Sequence, residues 1–318
     1  MKRLQSWEGF LFACLVAIFA FNAMMTPEFL YISNQINLFQ LSIEKIILAL
    51  VMTFIIINAE IDLSIGSMMG LSACAFGYMF QLGVPAPAAI AVCLAVGVAG
   101  GVFNGWFIAK LGLPSLVVTL ATLIGFRGLA RVMVEDRGIG DFPDWFDALG
   151  QRGFIGPVPF ALLVFVVLFA LLYVLLERSG FGRKTYVIGA SRDVADFAGI
   201  DTARHKIILF TMSGAAAAFA GLLFAARVGA VRGDVAQGFE LDVITIVLLG
   251  GVSIFGGKGT MIGTLLSVLI VLNLRNGMAL LNVTGHIQTG VIGLLLIASV
   301  VVPRIKLGAV KRHKPEAA

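Results

Sequence analysis

Apolar residues along this chain come in long unbroken runs, separated by short polar passages, rather than in the period-two alternation of half-buried strands. A hydrocarbon core about 30 Å thick is crossed by about 20 apolar residues in helical form. Ten segments meet that demand or approach it: 8–26, 42–58, 64–81, 86–109, 115–134, 157–176, 207–226, 241–255, 258–275 and 286–302. The pattern predicts an all-α, polytopic membrane protein with about ten transmembrane helices, forming one transmembrane domain over 1–318. The longest polar passage, Glu177 to Lys206, lies between two strongly apolar runs. Within it Ser191 suits an N-cap and Asp193 the positive end of a helix. Val194, Phe197 and Ala198 share a face, and Gly199 suits a C-terminal stop. A loop that folds its own helix is expected to dock something.

Composition sharpens this picture. The chain is 59% hydrophobic and 13% charged, against about 25% charged in soluble domains, so a soluble fold is excluded. The net charge of +5 raises the question of nucleic acid, but the cations sit in loops and tails, with no basic face interleaved with aromatics. They set topology instead. Lys2, Arg3, Lys110, Lys258, the cations of 177–206 and those of the C-terminal tail fall on one side if the N-terminus is inside, which predicts both termini in the cytoplasm. The first apolar run lacks a small-residue cleavage site and reads as a retained span. Cys14, Cys74 and Cys93 have no metal spacing and read as small core residues. His205, His286 and His313 are dispersed, so no metal site is expected.

Two stretches stand out as polar or flexible breaks. Asn58 to Ser67, NAEIDLSIGS, places Glu60 and Asp62 between apolar runs. A carboxylate at a helix centre costs about 2.5–3.5 kcal/mol on insertion, so both should avoid lipid. Either they line a path or gate with Asn58 and Ser64, or Asp62 or Ser64 caps a helix starting near Ile65. Leu241 to Thr264 carries Gly250, Gly251, Gly256 and Gly257, but Gly259 stands where a phosphate loop needs Ser or Thr after Lys258. These glycines fit close packing, or a moving hinge. Asn104-Gly105 and Asn276-Gly277 stand about ten residues before the fifth and tenth segments, an echo that would make spans 2–5 and 7–10 an inverted repeat. Asn104, Asn273 and Asn276 are expected to bond neighbouring helices, with transient solute contact the rival reading, and Asn104 and Asn276 are the candidates for the path. Arg127, Arg131 and Arg275 are expected to snorkel at outer span ends, and Phe142, Trp145, Phe146 and Phe154 to anchor an outer loop in the interface.

IDLSIGS at 61–67, LPSLVVTLATL at 113–123, GRKTYVIGASRDVADFAGI at 182–200 and ELDVITIVLLGGVSIFGGKGTMIGTLL at 240–266 resemble the permease subunits of bacterial ABC importers for monosaccharides. That family includes the ribose, xylose, rhamnose and autoinducer-2 systems, and the resemblance runs over about 45–302. It implies a bacterial inner-membrane permease paired with a second permease, identical or different. It also implies a cytoplasmic ATP-binding subunit and a periplasmic sugar-binding protein that delivers a small sugar. ATP would be bound by those partner subunits and no cofactor by this chain. The resemblance assigns ATPase coupling to the loop. Gly189, Ser191, Ala195, Gly199 and Ile200 fall on the family pattern and Arg192, Asp193, Val194, Asp196, Phe197 and Ala198 fill it. Ser191 stands where Asn is usual, and Asp196 and Ala198 also depart, which bears on the choice of ATPase. The rival from another class is an ion-gradient-driven transporter or channel with Glu60 and Asp62 as its cation site. An enzyme is not expected, since no nucleophile, base and metal constellation is visible.

Overall fold

The computed structural model describes residues 2–135, 137–155, 158–295 and 297. Helix α1 (Lys2–Met25) is followed by a 3₁₀ turn, a short α2 (Ile32–Gln40) and α3 (Ile43–Ile57). Then come α4 (Ile65–Gln81), α5 (Ala86–Lys110), α6 (Ser115–Val134), α7 (Asp144–Gln151) and α8 (Phe160–Tyr173), the last ending in a π-helical turn at Val174–Arg178. The loop holds α9 (Gly180–Ala190) and α10 (Arg192–Phe197), and α11 (Thr202–Val228), α12 (Phe239–Leu249) and α13 (Met261–Leu280) follow. Residues 285–295 are helical as well. Four strands of two or three residues form two small antiparallel ladders, β1 (Ile139–Gly140) with β4 (Ala230–Val231) and β2 (Gly153–Ile155) with β3 (Val158–Pro159).

Six described helical segments are long and apolar enough to cross a membrane: Trp7–Met25, Ala86–Lys110, Ser115–Val134, Phe160–Arg178, Thr202–Val228 and Met261–Leu280. The α2–α3 pair, bent by 56°, makes a seventh if taken as one span. The other predicted spans came out differently. Segment 64–81 is the 17-residue α4. Segment 241–255 contributes only the 11-residue α12, because Gly250 and Gly251 turn the chain at its end. Segment 286–302 runs beyond the described residues.

Shortness goes with burial. Helix α3 is buried at nearly every position, α4 from Ile65 to Gly77 and α12 from Val243 to Leu248, so these three form the core and the longer helices wrap it. The tightest crossing is α5 on α11. A Cβ on Gly97 would stand 2.4 Å from the Gly214 carbonyl oxygen, and one on Gly101 2.3 Å from that of Phe210. Glycines four residues apart let the two backbones touch. This crossing fixes α11, which links the polar loop to the opposite end of the bundle.

Candidate functional site

The loop is built as its caps dictate. Ser179 accepts from the Gly182 N–H at 3.2 Å and starts α9, and Ser191 accepts from the Val194 N–H at 3.3 Å and starts α10. Gly199, at φ +73°, ends that helix, with the Ile200 N–H donating to the Ala195 carbonyl. Asp201 then caps α11 through the Arg204 N–H. Asp196 accepts from Thr202 Oγ1 at 2.8 Å and ties α10 to the first turn of α11. Ala195 is fully buried beneath α10, whereas Val194, Phe197 and Ala198 share the outward face. Phe197 is 93% exposed. Val194 and Phe197 together present a small exposed apolar face on a capped helix.

Along α9 the loop meets both predicted breaks. A Cβ on Gly189 would stand 1.8 Å from the Ile57 carbonyl oxygen, the end of α3. That same carbonyl accepts from the Gly257 N–H at 2.8 Å. Gly256 and Gly257, at φ +77° and +68°, press against Ala59 and Ala190, a backbone path that L side chains resist. Tyr186 donates to the Gly259 carbonyl at 2.9 Å, and burial, with Glu177 nearby, pushes its phenol above the ordinary range. Glu177 accepts from the Met261 N–H at 3.1 Å and so joins the loop to α13. From the N-terminal helix, Glu8 accepts from Thr260 Oγ1, and Trp7 donates to the Leu249 carbonyl and packs on Gly251. Gly250 lies against Gly263. The glycine stretch is therefore the floor on which the loop rests.

The acidic break climbs from this junction into the bundle. Asn58 ends α3 with a buried amide, and Ala59 turns left-handed at φ +63°. Glu60 is ion-paired with Lys206 of α11, both largely buried. Asp62 is buried, and its Oδ1 accepts from the Ser64 N–H at 2.9 Å and from Ser64 Oγ at 2.6 Å, while its Oδ2 accepts from Ser213 Oγ at 2.7 Å. Asn104 of α5 donates to Ser64 Oγ at 2.8 Å. Helix α4 does start at Ile65, and it is Asp62, not Ser64, whose side chain meets the backbone there. Ser213 falls near the middle of α11, so the network belongs to the interior of the bundle rather than to its rim. Asn276 stands elsewhere, exchanging amide hydrogen bonds with Asn34 toward the other end of α13.

Several charged residues behave otherwise than the pattern of runs predicts. Arg275 turns inward to Asp242 at 2.7 Å, sharing it with Lys45 at 2.7 Å, instead of reaching for the interface. Arg127 faces Glu240 at 3.7 Å, and Arg227 meets the buried Glu44 at 2.9 Å. The one sequence signal for this was the placing of acids in the first turns of α3 and α12, at the level of cations assigned to the rim. Phe142 and Phe146 are core residues, with ring centroids 4.9 and 4.7 Å from Phe76, and only their neighbour Trp145 is half-exposed. Phe154's side chain lies outside the described residues.

A bundle with a polar break in its core, joined through backbone contacts to a helix that displays a bare aromatic, has the plan of a membrane transport subunit. A family described as "branched-chain amino acid transport system / permease component" matches residues 34–300. The autoinducer 2 import system permease protein LsrD of Salmonella typhimurium is 35% identical over 310 residues, 94% of this chain and 92% of that protein. LsrD of Photorhabdus laumondii is 33% identical over 311 residues, 95% of this chain and 92% of its own. The ribose import permease protein RbsC of Bacillus subtilis is 33% identical over 308 residues, 96% and 94% of the two chains. No solved structure matches. The chain belongs to this family of transport-system permease components: it is a multi-pass membrane subunit and not an enzyme.

Proposed function

We propose that this chain is the membrane subunit of an ATP-driven importer that carries a monosaccharide or a related small sugar across a bacterial inner membrane. Two permeases, identical or different, form the passage. A cytoplasmic ATP-binding subunit docks on α10 and supplies the energy, so ATP belongs to that partner, and a periplasmic sugar-binding protein delivers the solute. The observation that carries this reading is Phe197, 93% exposed on a capped helix directly after α9, whose Gly189 packs on Ile57 at the start of the acidic break. Relatives over nearly the whole chain import ribose and autoinducer 2, which favours a sugar over a branched-chain amino acid. Glu60 is neutralised by Lys206, and Asp62 is taken up by two serines and a backbone amide, which leaves the cation-site rival without a free carboxylate.

In this reading ATPase closure shifts Ser191 to Ile200, and the Gly189–Ile57–Gly257 contact passes the shift to the 58–64 passage. Glu60, Asp62, Ser64 and Asn104 then act as its gate, with Asn58 at its hinge and Gly250, Gly251, Gly256 and Gly257 as its floor. Asn276 takes no direct part in that gate. Both termini lie on the cytoplasmic side of the membrane in this reading. The chain crosses ten times, with α4 and α12 as short buried passages, and spans 2–5 repeat as 7–10 in inverted orientation. Support for the repeat comes from the matched third and eighth passages: each is a short buried helix entered through a non-helical segment, 58–64 before α4 and 232–238 before α12.

The test is uptake of radiolabelled D-ribose, D-xylose, L-rhamnose and L-leucine by cells with and without this chain. The reading expects chain-dependent uptake of a sugar that stops on ATP depletion and survives an uncoupler. Uptake of leucine alone, or collapse with the uncoupler while ATP is held constant, would overturn it.

A further inference from the structure

At the end of the bundle opposite the loop, a cavity of about 480 Å³ opens between the last turns of α11 and the segment leading into α12. Its volume is in the range of small-molecule sites, roughly 300–1,000 Å³. Phe224, Val228 and Phe239 line it with apolar surface, and Arg232, Asp234 and Gln237 supply polar groups that are open to solvent. Sites with apolar walls and a few converging polar groups are the usual form of ligand pockets.

Both rings are fixed in place. Lys45 Nζ stands 4.5 Å from the Phe239 ring centroid, and the Arg227 guanidinium 5.2 Å from that of Phe224. These cations are themselves held by Asp242 and Glu44. The backbone of the wall is pinned against α4, where a Cβ on Gly70 would meet the Val235 carbonyl at 3.1 Å and one on Gly66 the Ala236 carbonyl at 2.9 Å. Ala236 takes a left-handed φ of +59°, which a non-glycine residue keeps only where its surroundings impose it. The charged network that the sequence left unexplained is thus the scaffold of a preformed, aromatic-walled cavity.

We propose that this cavity receives the solute as a neutral polyhydroxylated ring of the monosaccharide class, an assignment that rests on the importer reading above. The C–H faces of such a ring lie on Phe224 and Phe239. Its hydroxyls donate to the Asp234 carboxylate and the Gln237 carbonyl, and accept from the Gln237 amide and the Arg232 guanidinium. Arg232 and Asp234 offset one another at 3.4 Å, so the rim carries no net charge to select an ion.

Val228→Cys, at an exposed position of the wall to which no hydrogen bond with the sugar is assigned, tests this in the purified full-length chain. Its rate of labelling by a fluorescent maleimide is measured, above the background of the native chain, with high concentrations of D-ribose, D-xylose, L-rhamnose or L-leucine. At least one sugar is expected to slow labelling threefold or more and leucine to leave it unchanged, with Phe239→Ala removing the protection. Protection by leucine alone overturns the sugar assignment. Failure of a sugar that cells import through this chain to protect overturns the cavity as its site. Protection by a sugar without chain-dependent uptake overturns the importer reading and supports the assigned ligand.

Discussion

Two non-helical segments among the described residues, 58–64 and 232–238, lead into short buried helices, and they are finished in different ways. At the loop end, 58–64 is closed by specific contacts: Glu60 on Lys206, Asp62 on Ser64 and Ser213, and Ile57 wedged between Gly189 and Gly257. At the far end, 232–238 runs along α4 and leaves a cavity beside it, with an exposed Arg232–Asp234 pair at its rim. Rigid contact transmits displacement, whereas open space accommodates a ligand. The contrast is in keeping with the proposed coupling at the loop end and the proposed solute site at the other, although both passages are non-helical segments leading into short buried helices.

Substitutions can break that contrast, and the deepest effects belong to the closed passage. Lys206→Ala leaves Glu60 buried without its partner and should cost about 3–5 kcal/mol, read as loss of thermal stability in detergent. Adding Glu60→Gln to a Lys206→Met background should restore most of it, because the pair is expensive to halve and cheap to replace. Gly189→Ala forces a methyl into the Ile57 carbonyl and should cost about 1–3 kcal/mol, with uptake falling further than stability if the contact lies on the proposed coupling route. Ser191→Ala removes the α10 cap at about 1 kcal/mol, confined to the loop and visible as faster amide exchange at Val194. At the open passage, Arg232→Ala should change stability by less than about 1 kcal/mol, since its ion pair is solvated. A large loss there would show that the far passage is as tightly built as the near one.

Much of this was legible in the chain, for local reasons. The spans 86–109 and 115–134 coincide with α5 and α6 almost to the residue, because strongly apolar runs and flanking prolines mark such helices plainly. The loop helix was legible because its caps, Ser191 and Gly199, act within a few residues of themselves. What stayed hidden depends on distant partners. Glu60 and Lys206 are 146 residues apart, and Lys45 and Asp242 197, so no local pattern connects them. Segment 64–81 has the apolar content of a lipid-facing span, yet α4 is enclosed on most sides by other helices. Hydropathy reports how apolar a helix is and says nothing of whether lipid or protein surrounds it.

Helix α10 is the proposed link between an ATPase and the passage. Phe197→Asp addresses it directly, because the side chain is almost wholly in solvent and its replacement should leave the fold intact. Sugar uptake and ATP hydrolysis are measured together, in vesicles that carry the permease with its ATPase and binding protein. Thermal stability should be unchanged and uptake reduced by at least an order of magnitude, with hydrolysis no longer stimulated by sugar-loaded binding protein. Uptake at the level of the native chain would contradict it.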